Sequence, residues 1–321
     1  MTLSVVVVMA SDTVRRPGHT GHLRHCLRAL HAQRDAPPLD IVVPHLSSVA
    51  GLEQLAHEFP DVHFVEARDV SERIPKGPYR DHHDELRARA IAVAAGDLVA
   101  LLEDHEVPDR RWAAEVVAAH AAHGHAAIGG AVENAIARPL NLAVCLSDFS
   151  YYLNPVPAGP SQVATDVNVS YKRAALEAIA PVWRSRFHER LVHAALLAAG
   201  HTLALSPSIV VYQRRSDLTA GAALVERYVW GRSYAATRAE EWGAATRLCY
   251  AACATALPAV LVFRIVRTVI ARHRMSTAVL VSLPWLCLLS AAWSLGECSG
   301  YCTPRESRRA VGAEITTVRT S

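Results

Sequence analysis

Along most of the chain, short unbroken apolar runs alternate with stretches whose apolar residues recur every three or four positions. Residues 4–9 are such a run, β-branched and uncharged, as expected of a strand buried on both faces. Residues 22–33 follow with Leu23, Cys26, Leu27 and Leu30 at helical spacing. The same alternation predicts strands at 40–43, 62–65 and 98–102, and helices at 50–58 and 84–95. Gly96 closes the second of these helices, where a left-handed cap is expected. The polar stretch 68–83, with Pro75, Gly77 and Pro78, reads as loop. Further on come a helix at 110–123, a strand at 126–132, an apolar stretch at 140–153 and a Pro/Gly loop at 154–160. A strand at 167–171, a helix at 187–199 ended by Gly200, and two strands, 201–205 and 209–212, around Pro207 complete the pattern. Strands and helices alternating in this way predict an α/β fold with a mostly parallel sheet covered by helices.

The tail changes character. Residues 248–263 are 16 uncharged positions and residues 276–295 another 20, and a bilayer span takes about 20 apolar residues. Between them, residues 264–274 hold four arginines. Were both runs to cross, that basic linker would lie opposite the N-terminal domain, against the positive-inside tendency. Either one run spans, or the two form a shallow hairpin in the cytosolic leaflet; a pair of buried core helices is the plainer alternative. The chain therefore divides into an α/β domain at 1–215, an amphipathic connecting helix at 216–245, and a hydrophobic membrane-associated segment with a basic tail at 246–321.

The net charge of +3 conceals an asymmetry: residues 214–321 hold 14 Arg or Lys against 7 Asp or Glu, so the rest is net acidic. A basic, apolar end suits anionic headgroups, and membrane lipids are the expected partner. Nucleic acid is not expected, because the basic residues do not alternate with exposed aromatics. Seven cysteines with no C-x-x-C pair suggest neither zinc nor a disulfide framework and suit a reducing compartment. The N-terminal apolar run is too short for a signal sequence and lacks a basic leader. The first domain is thus expected on the cytoplasmic face of the cell membrane.

The densest candidate chemistry is Glu103-Asp104-His105-Glu106, just past the strand at 98–102. Open α/β sheets bind ligands at that end of their strands. On an extended chain Glu103 and His105 share a face, and a cation neutralising a diphosphate takes carboxylate or imidazole ligands. A solvated acidic turn is the alternative. His19, His22 and His25 recur every three residues where a loop runs into a helix, and read as solvated. Asn168-Val-Ser170 is a glycosylation sequon by pattern only.

In order and spacing these pieces resemble the family 2 glycosyltransferases of GT-A fold, from residue 3 to residue 240. The resemblance is carried by the helix from Arg87 to Ala94-Ala95-Gly96 and by the apolar strand into Glu103-Asp104-His105, with Pro108 and Trp112 following. Ile128-Gly129-Gly130-Ala131-Val132 matches the family's Gly-Gly strand, and Asn168 precedes Lys172-Arg173. Phe187-His188-Glu189 leads to Gly200 and Pro207, and Arg227-Tyr228-Val229-Trp230-Gly231-Arg232 precedes the apolar tail. The resemblance implies inverting transfer of one sugar from a nucleotide-sugar donor to a lipid-linked or envelope glycan acceptor, with a divalent metal (Mn or Mg). It implies Glu103 and Asp104 at the donor, His105 and Asp104 at the metal, Glu189 as the base, and Asp166 and Asn168 on the acceptor side. Arg87 and Arg89 either meet the donor phosphates or cover their helix. Three positions depart from the pattern. His105 replaces the second Asp of Asp-x-Asp; Val43 runs into Pro44-His45 in place of Asp-Gly-Ser, leaving the base contact unassigned; and Arg190 replaces a second carboxylate after Glu189. The Gln-x-x-Arg-Trp motif of polymer-making members is absent, so single transfer is expected. The rival readings are a catalytically degenerate membrane-bound scaffold and a sugar-1-phosphate nucleotidyltransferase. The latter needs an N-terminal Gly-rich loop, which residues 11–22 do not supply.

Overall fold

The computed structural model describes residues 1–10, 20–73, 82–240 and 242–303, and is built around one nine-stranded sheet. β1 (Leu3–Val8), β2 (Leu39–His45), β3 (His63–Glu66) and β4 (Leu98–Glu103) pair in parallel in the order β3-β2-β1-β4. β1 is buried at every position, which is why it runs as unbroken Val rather than alternating. On one face its odd residues pack against α1 (Gly21–His31), α2 (Leu52–Glu58) and α5 (Trp112–Ala122). On the other, its even residues join the core of α4 (His82–Val93), α7 (Arg173–Ala178) and α9 (Glu189–Ala198), with α8 (Ala180–Trp183) sending Trp183 into the same cluster.

Beyond β4 the sheet reverses. β8 (Asn168–Lys172) is antiparallel to β4, and β6 (Ala127–Asn134) is antiparallel to β8 and parallel to β9 (Leu203–Gln213). The short β5 (Glu106–Pro108) and β7 (Gly159–Ser161) pair antiparallel with β9. The fold is α/β as the sequence predicts, with parallel pairing filling its N-terminal half. The two strands predicted around Pro207 are one, because β9 keeps pairing with β6 across a register shift at Gly130/Ala131. The stretch predicted as loop opens with α3 (Arg68–Arg73), while residues 74–81 lie outside the described residues. Gly200 takes the expected left-handed conformation, φ 81°, but Gly96 does not. Space, not φ, selects Gly96: a Cβ there would lie 2.5 Å from the Ser4 nitrogen.

The apolar stretch 140–153 is α6 (Pro139–Phe149) and a 3-10 turn, Ser150–Tyr152. After β9 come α10 (Ala220–Arg238), α11 (Ala244–Ala254), α12 (Leu257–Ala271) and α13 (Thr277–Cys302). α11 and α12 meet at a 55° bend. Among the described residues, α13 is the one helix long and apolar enough to cross a bilayer. It nevertheless lies against the α/β body. Its first half packs on α6 through Val279, Leu286 and Leu289, and its second half runs along α10. There the backbones nearly touch: a Cβ on Gly296 would come 2.2 Å from the Tyr228 carbonyl oxygen, and one on Gly231 2.3 Å from that of Trp293. Two of the four linker arginines, expected to meet lipid, are tied to the body instead. Arg272 donates to the Tyr151 carbonyl at 3.0 Å, and Arg274 to the Glu133 carboxylate at 2.9 Å. Carbonyls in an irregular turn need donors, and a guanidinium offers several.

Because no side chain fits at Gly296, Gly296→Ala must push α10 and α13 apart. Overpacking of this kind costs about 1–3 kcal/mol. The expected outcome is a melting temperature lowered by several degrees, read by circular dichroism; an unchanged value would contradict the packing.

Candidate active site

β4 ends at Glu103, on the edge where the parallel strands deliver their C-termini. Facing it from α4 is Arg87, whose side chain is 1% exposed. Its guanidinium donates to Glu103 Oε1 at 2.7 Å, meets Asp166 Oδ2 at 2.7 Å, and reaches Asp84 Oδ1 at 3.4 Å. Burial works against this charge, but Asp166, Glu103 and Asp84 outweigh it and hold the arginine protonated beyond its ordinary range. Arg87 is therefore an internal clamp for carboxylates. Arg89 stands apart, paired on the surface with Asp69 at 2.5 Å.

After Glu103 the chain turns at Asp104 and His105 before β5 begins. That turn brings Glu106 back toward Glu103. One ligand atom each from Glu103, His105 and Glu106 lie within 4.8 Å of one another. His105 Nε2 is 3.6 Å from Glu103 Oε2 and 3.4 Å from Glu106 Oε1. Both Glu106 oxygens are buried without a hydrogen-bond partner, an arrangement that a hard cation with oxygen and nitrogen ligands would satisfy. The residues thus fit a divalent metal. Asp104, expected beside His105 on the metal, is wholly buried with Oδ1 accepting the Ala10 N–H at 3.0 Å. Glu106 stands beside Glu103 and His105 instead, because the chain is turned here rather than extended.

The cluster is short of positive charge. Burial opposes a charged His105, but its hydrogen bond with Asp104 and the charges of Glu106 and Glu103 raise it to about 9. Burial pushes Glu106 up to about 8, against the pull of His105. Protons stand in for a cation.

Glu189 opens α9, and its Oε2 accepts the backbone N–H of Asp166 at 2.8 Å. Burial and the neighbouring Asp166 charge push Glu189 up to about 8, while the Asp166 N–H and Arg87 pull it down. Asp166 lies beside Glu189 on the same cavity wall. Asn168 is not. It is 1% exposed, accepts from Trp112 Nε1 at 2.9 Å, and donates to the carbonyls of Ala131 and Ile209. With its amide used to join β8, β6, β9 and α5, it offers an acceptor nothing. His22 pairs with Asp217 at 2.7 Å, and His25 bonds back to the Gly21 carbonyl; His19 lies outside the described residues. Lys172 and Arg173 donate to the carbonyls of His123 and Gly96.

Glu103, Asp166 and Glu189 line one side of a cavity of about 600 Å³. The other side is built by α10, α12 and α13, through residues that include Arg227, Arg264, Ile265, Leu289 and Trp293. Nothing in the sequence pattern links these tail positions to the acidic cluster, and they were missed as site residues. Glu106 was within reach, being part of the same acidic run.

No protein-family model matches the chain, and no curated protein matches it. Among solved structures, S. aureus TarS 1–349 in complex with UDP-GlcNAc aligns with TM-score 0.48 and 13% identity, over 73% of this chain and 66% of that one. The same protein in complex with UDP gives 0.47 and 13%, over 71% and 64%. The mannosyltransferase PcManGT from Pyrobaculum calidifontis, in complex with GDP-Man and Mn2+, gives 0.46 and 15%, over 98% and 78%. The chain spans just under two thirds of the length of the two TarS structures. Likeness at this level says nothing of this chain's substrate or chemistry.

A cation entering the cluster must displace the protons on His105 and Glu106. Mn2+ affinity is therefore expected to climb from pH 6 to pH 8, by about tenfold per unit or more. Titration calorimetry in buffers of different ionisation enthalpy should show at least one proton released per ion. Flat affinity with no proton release would remove the metal from this site, and Glu106→Gln should weaken binding if it is a ligand.

Proposed function

We propose that this chain is a glycosyltransferase, moving one sugar from a nucleotide-sugar donor to an acceptor with inversion at the anomeric carbon. The observation that carries the reading is the arrangement of Glu189. It is a buried carboxylate of raised pKa, opening into the same cavity as Glu103 and held one clamp away from the cation cluster. A group poised near neutral pH at a cavity wall suits a general base. Glu189 takes the acceptor hydroxyl proton as that oxygen attacks the anomeric carbon; the bond from carbon to the nucleoside diphosphate breaks, and the diphosphate departs. A divalent ion held by Glu103, His105 and Glu106 would supply positive charge for that leaving group. Arg87 keeps Glu103 and Asp166 in position. Family 2 membership is supported by the order of the sequence motifs; residues 1–215 serve as the catalytic domain on this reading.

The tail, residues 246–321, is read as attaching the enzyme to the cytoplasmic face of the membrane without a simple span. α13 is about 39 Å long at the usual helical rise, and both of its ends rest on the rest of the chain. Arg274, just before it, holds Glu133, and Tyr301 near its end packs on Ala235 and Ala239 of α10. Crossing would drag the exposed Arg232 and Arg238 of α10 with it. Leu248, Phe263, Ile270, Leu280, Val281, Leu288 and Leu295 are exposed instead, a surface suited to lying in one leaflet.

Glu189→Gln should cut kcat roughly 100-fold or more, on the usual scale of general-base catalysis, with donor affinity nearly unchanged. Because the carboxylate is active only after losing its proton, wild-type kcat should rise with pH up to about 8. Removing the neighbouring charge in Asp166→Asn should move that limb to lower pH. A Glu189→Gln enzyme with near-normal kcat sinks the assignment. For the membrane reading, the full chain should float with anionic vesicles and resist carbonate extraction; complete release by carbonate would show that the tail is not embedded.

A further inference from the structure

The acidic turn between β4 and β5 differs from a site for a hard cation in its ligand atoms and in their spacing. Glu103 gives one oxygen, Oε1, to Arg87 at 2.7 Å and turns the other, Oε2, toward His105. Glu106 brings carboxylate oxygens that are buried without a hydrogen-bond partner. His105 holds its Nε2 3.6 Å from Glu103 Oε2 and 3.4 Å from Glu106 Oε1. Three side chains thus offer one ligand atom each within 4.8 Å, and one of the three atoms is an imidazole nitrogen.

The spacing decides which ion these atoms suit. Ligands at about 2.0–2.1 Å from a tetrahedral zinc ion stand about 3.3–3.4 Å apart, close to both separations. Octahedral neighbours at the same bond length, as magnesium demands, stand only about 2.9 Å apart, so each carboxylate would have to close by about 0.5–0.7 Å. Magnesium also keeps several waters, and calcium takes about six to eight oxygens. Side-chain exposures of 12% for Glu103, 8% for His105 and 0% for Glu106 leave little room for such a shell. An imidazole suits zinc and the later transition ions, whereas magnesium and manganese favour oxygen. The ring is also oriented from behind. Its Nδ1 is hydrogen-bonded to Asp104 Oδ1 at 3.4 Å, and the same oxygen accepts the Ala10 N–H. A carboxylate in that position aims the opposite nitrogen and makes it a stronger ligand, so Asp104 is a positioning residue.

We infer that Glu103, His105 and Glu106 form a four-coordinate site for a zinc-class transition ion, with the fourth position left for an incoming ligand atom. The inference rests on the transferase reading only for what fills that position, an oxygen of the donor diphosphate. His105 is then the residue that sets metal choice. An aspartate in its place would return the cluster to oxygen ligands alone, the set that magnesium and manganese favour.

The test uses the purified full chain with its exposed cysteines, Cys249, Cys253, Cys287 and Cys302, alkylated beforehand so that no surface thiolate competes. Co2+ is the probe, because the four-coordinate ion absorbs strongly in the visible and the six-coordinate ion only weakly. One equivalent of Co2+ is expected to give the intense bands, to be displaced by one equivalent of Zn2+, and to withstand about a hundredfold excess of Mg2+. His105→Asp should abolish the intense bands and narrow the preference for Zn2+ over Mg2+ by about tenfold or more. Asp104→Asn should keep the bands but weaken Co2+ binding by about 10–100-fold. A six-coordinate spectrum in the wild-type protein, no Co2+ bound, or displacement by an equal amount of Mg2+ overturns the inference, and none of these needs a variant to fold. An unchanged spectrum in His105→Asp overturns it too. Nucleotide-sugar binding with Zn2+ and with Mg2+ is measured separately by calorimetry on the same protein. A four-coordinate spectrum without nucleotide-sugar binding under either ion faults the transferase reading and leaves the metal site standing. Nucleotide-sugar binding with Mg2+ alone, beside a six-coordinate Co2+ spectrum, faults this inference alone.

Discussion

The buried guanidinium of Arg87 is what allows three carboxylates to gather at one point, two of them on the cavity wall. Glu103 ends a strand, Asp166 precedes another, Asp84 shares the arginine's own helix, and all three converge on a cation with 1% exposure. Without it, burying like charges this close would drive them to take up protons or move apart. Removing one partner from a buried ion network costs about 3–5 kcal/mol, so this clamp is at once a stabilising element and the device that sets the charge on its neighbours. Glu189 feels both sides of that balance. Asp166 raises its pKa and Arg87 lowers it.

Much of this was legible in the amino-acid pattern, for reasons that can be named. β1 and β4 are buried on both faces, so their unbroken apolar runs left no other reading. Glu103 and His105 stand at the end of β4 and Glu189 at the start of α9, ends that the sequence marks well. What could not be read is whatever depends on turns and long-range packing. Glu106 joins Glu103 and His105 while Asp104 turns to the Ala10 N–H, because two residues of turn separate β4 from β5. Asn168 looked like a polar residue near an acceptor and proved to be a cross-link between strands, since nothing local reveals that Ala131 and Ile209 would present carbonyls to it. β5 and β7, three residues each, carry no period to detect.

The tail shows a similar limit. Composition marks it as apolar and basic, and that is compatible with a span, a hairpin or a core. The deciding information lies in contacts between distant residues: Arg274 with Glu133, and Gly296 with the Tyr228 backbone. These make α13 a part of the α/β body as much as an exposed apolar surface. Polar pairs such as Arg215 with Glu226, at 2.6 Å, lie close to this junction and are protected from water by it. These contacts hold the acidic cluster and the exposed apolar helices in one fixed geometry.

That the cavity wall includes residues 261–293 also bears on how the protein is made. During synthesis Glu103, Arg87 and Glu189 have been made by the end of α9, before β9 pairs with the strand that carries Glu106 and well before α12 and α13 leave the ribosome. Until then the cavity has only one side. The segment that closes the second side of the cavity is therefore the last to be made, and the cavity is whole only once α12 and α13 have packed.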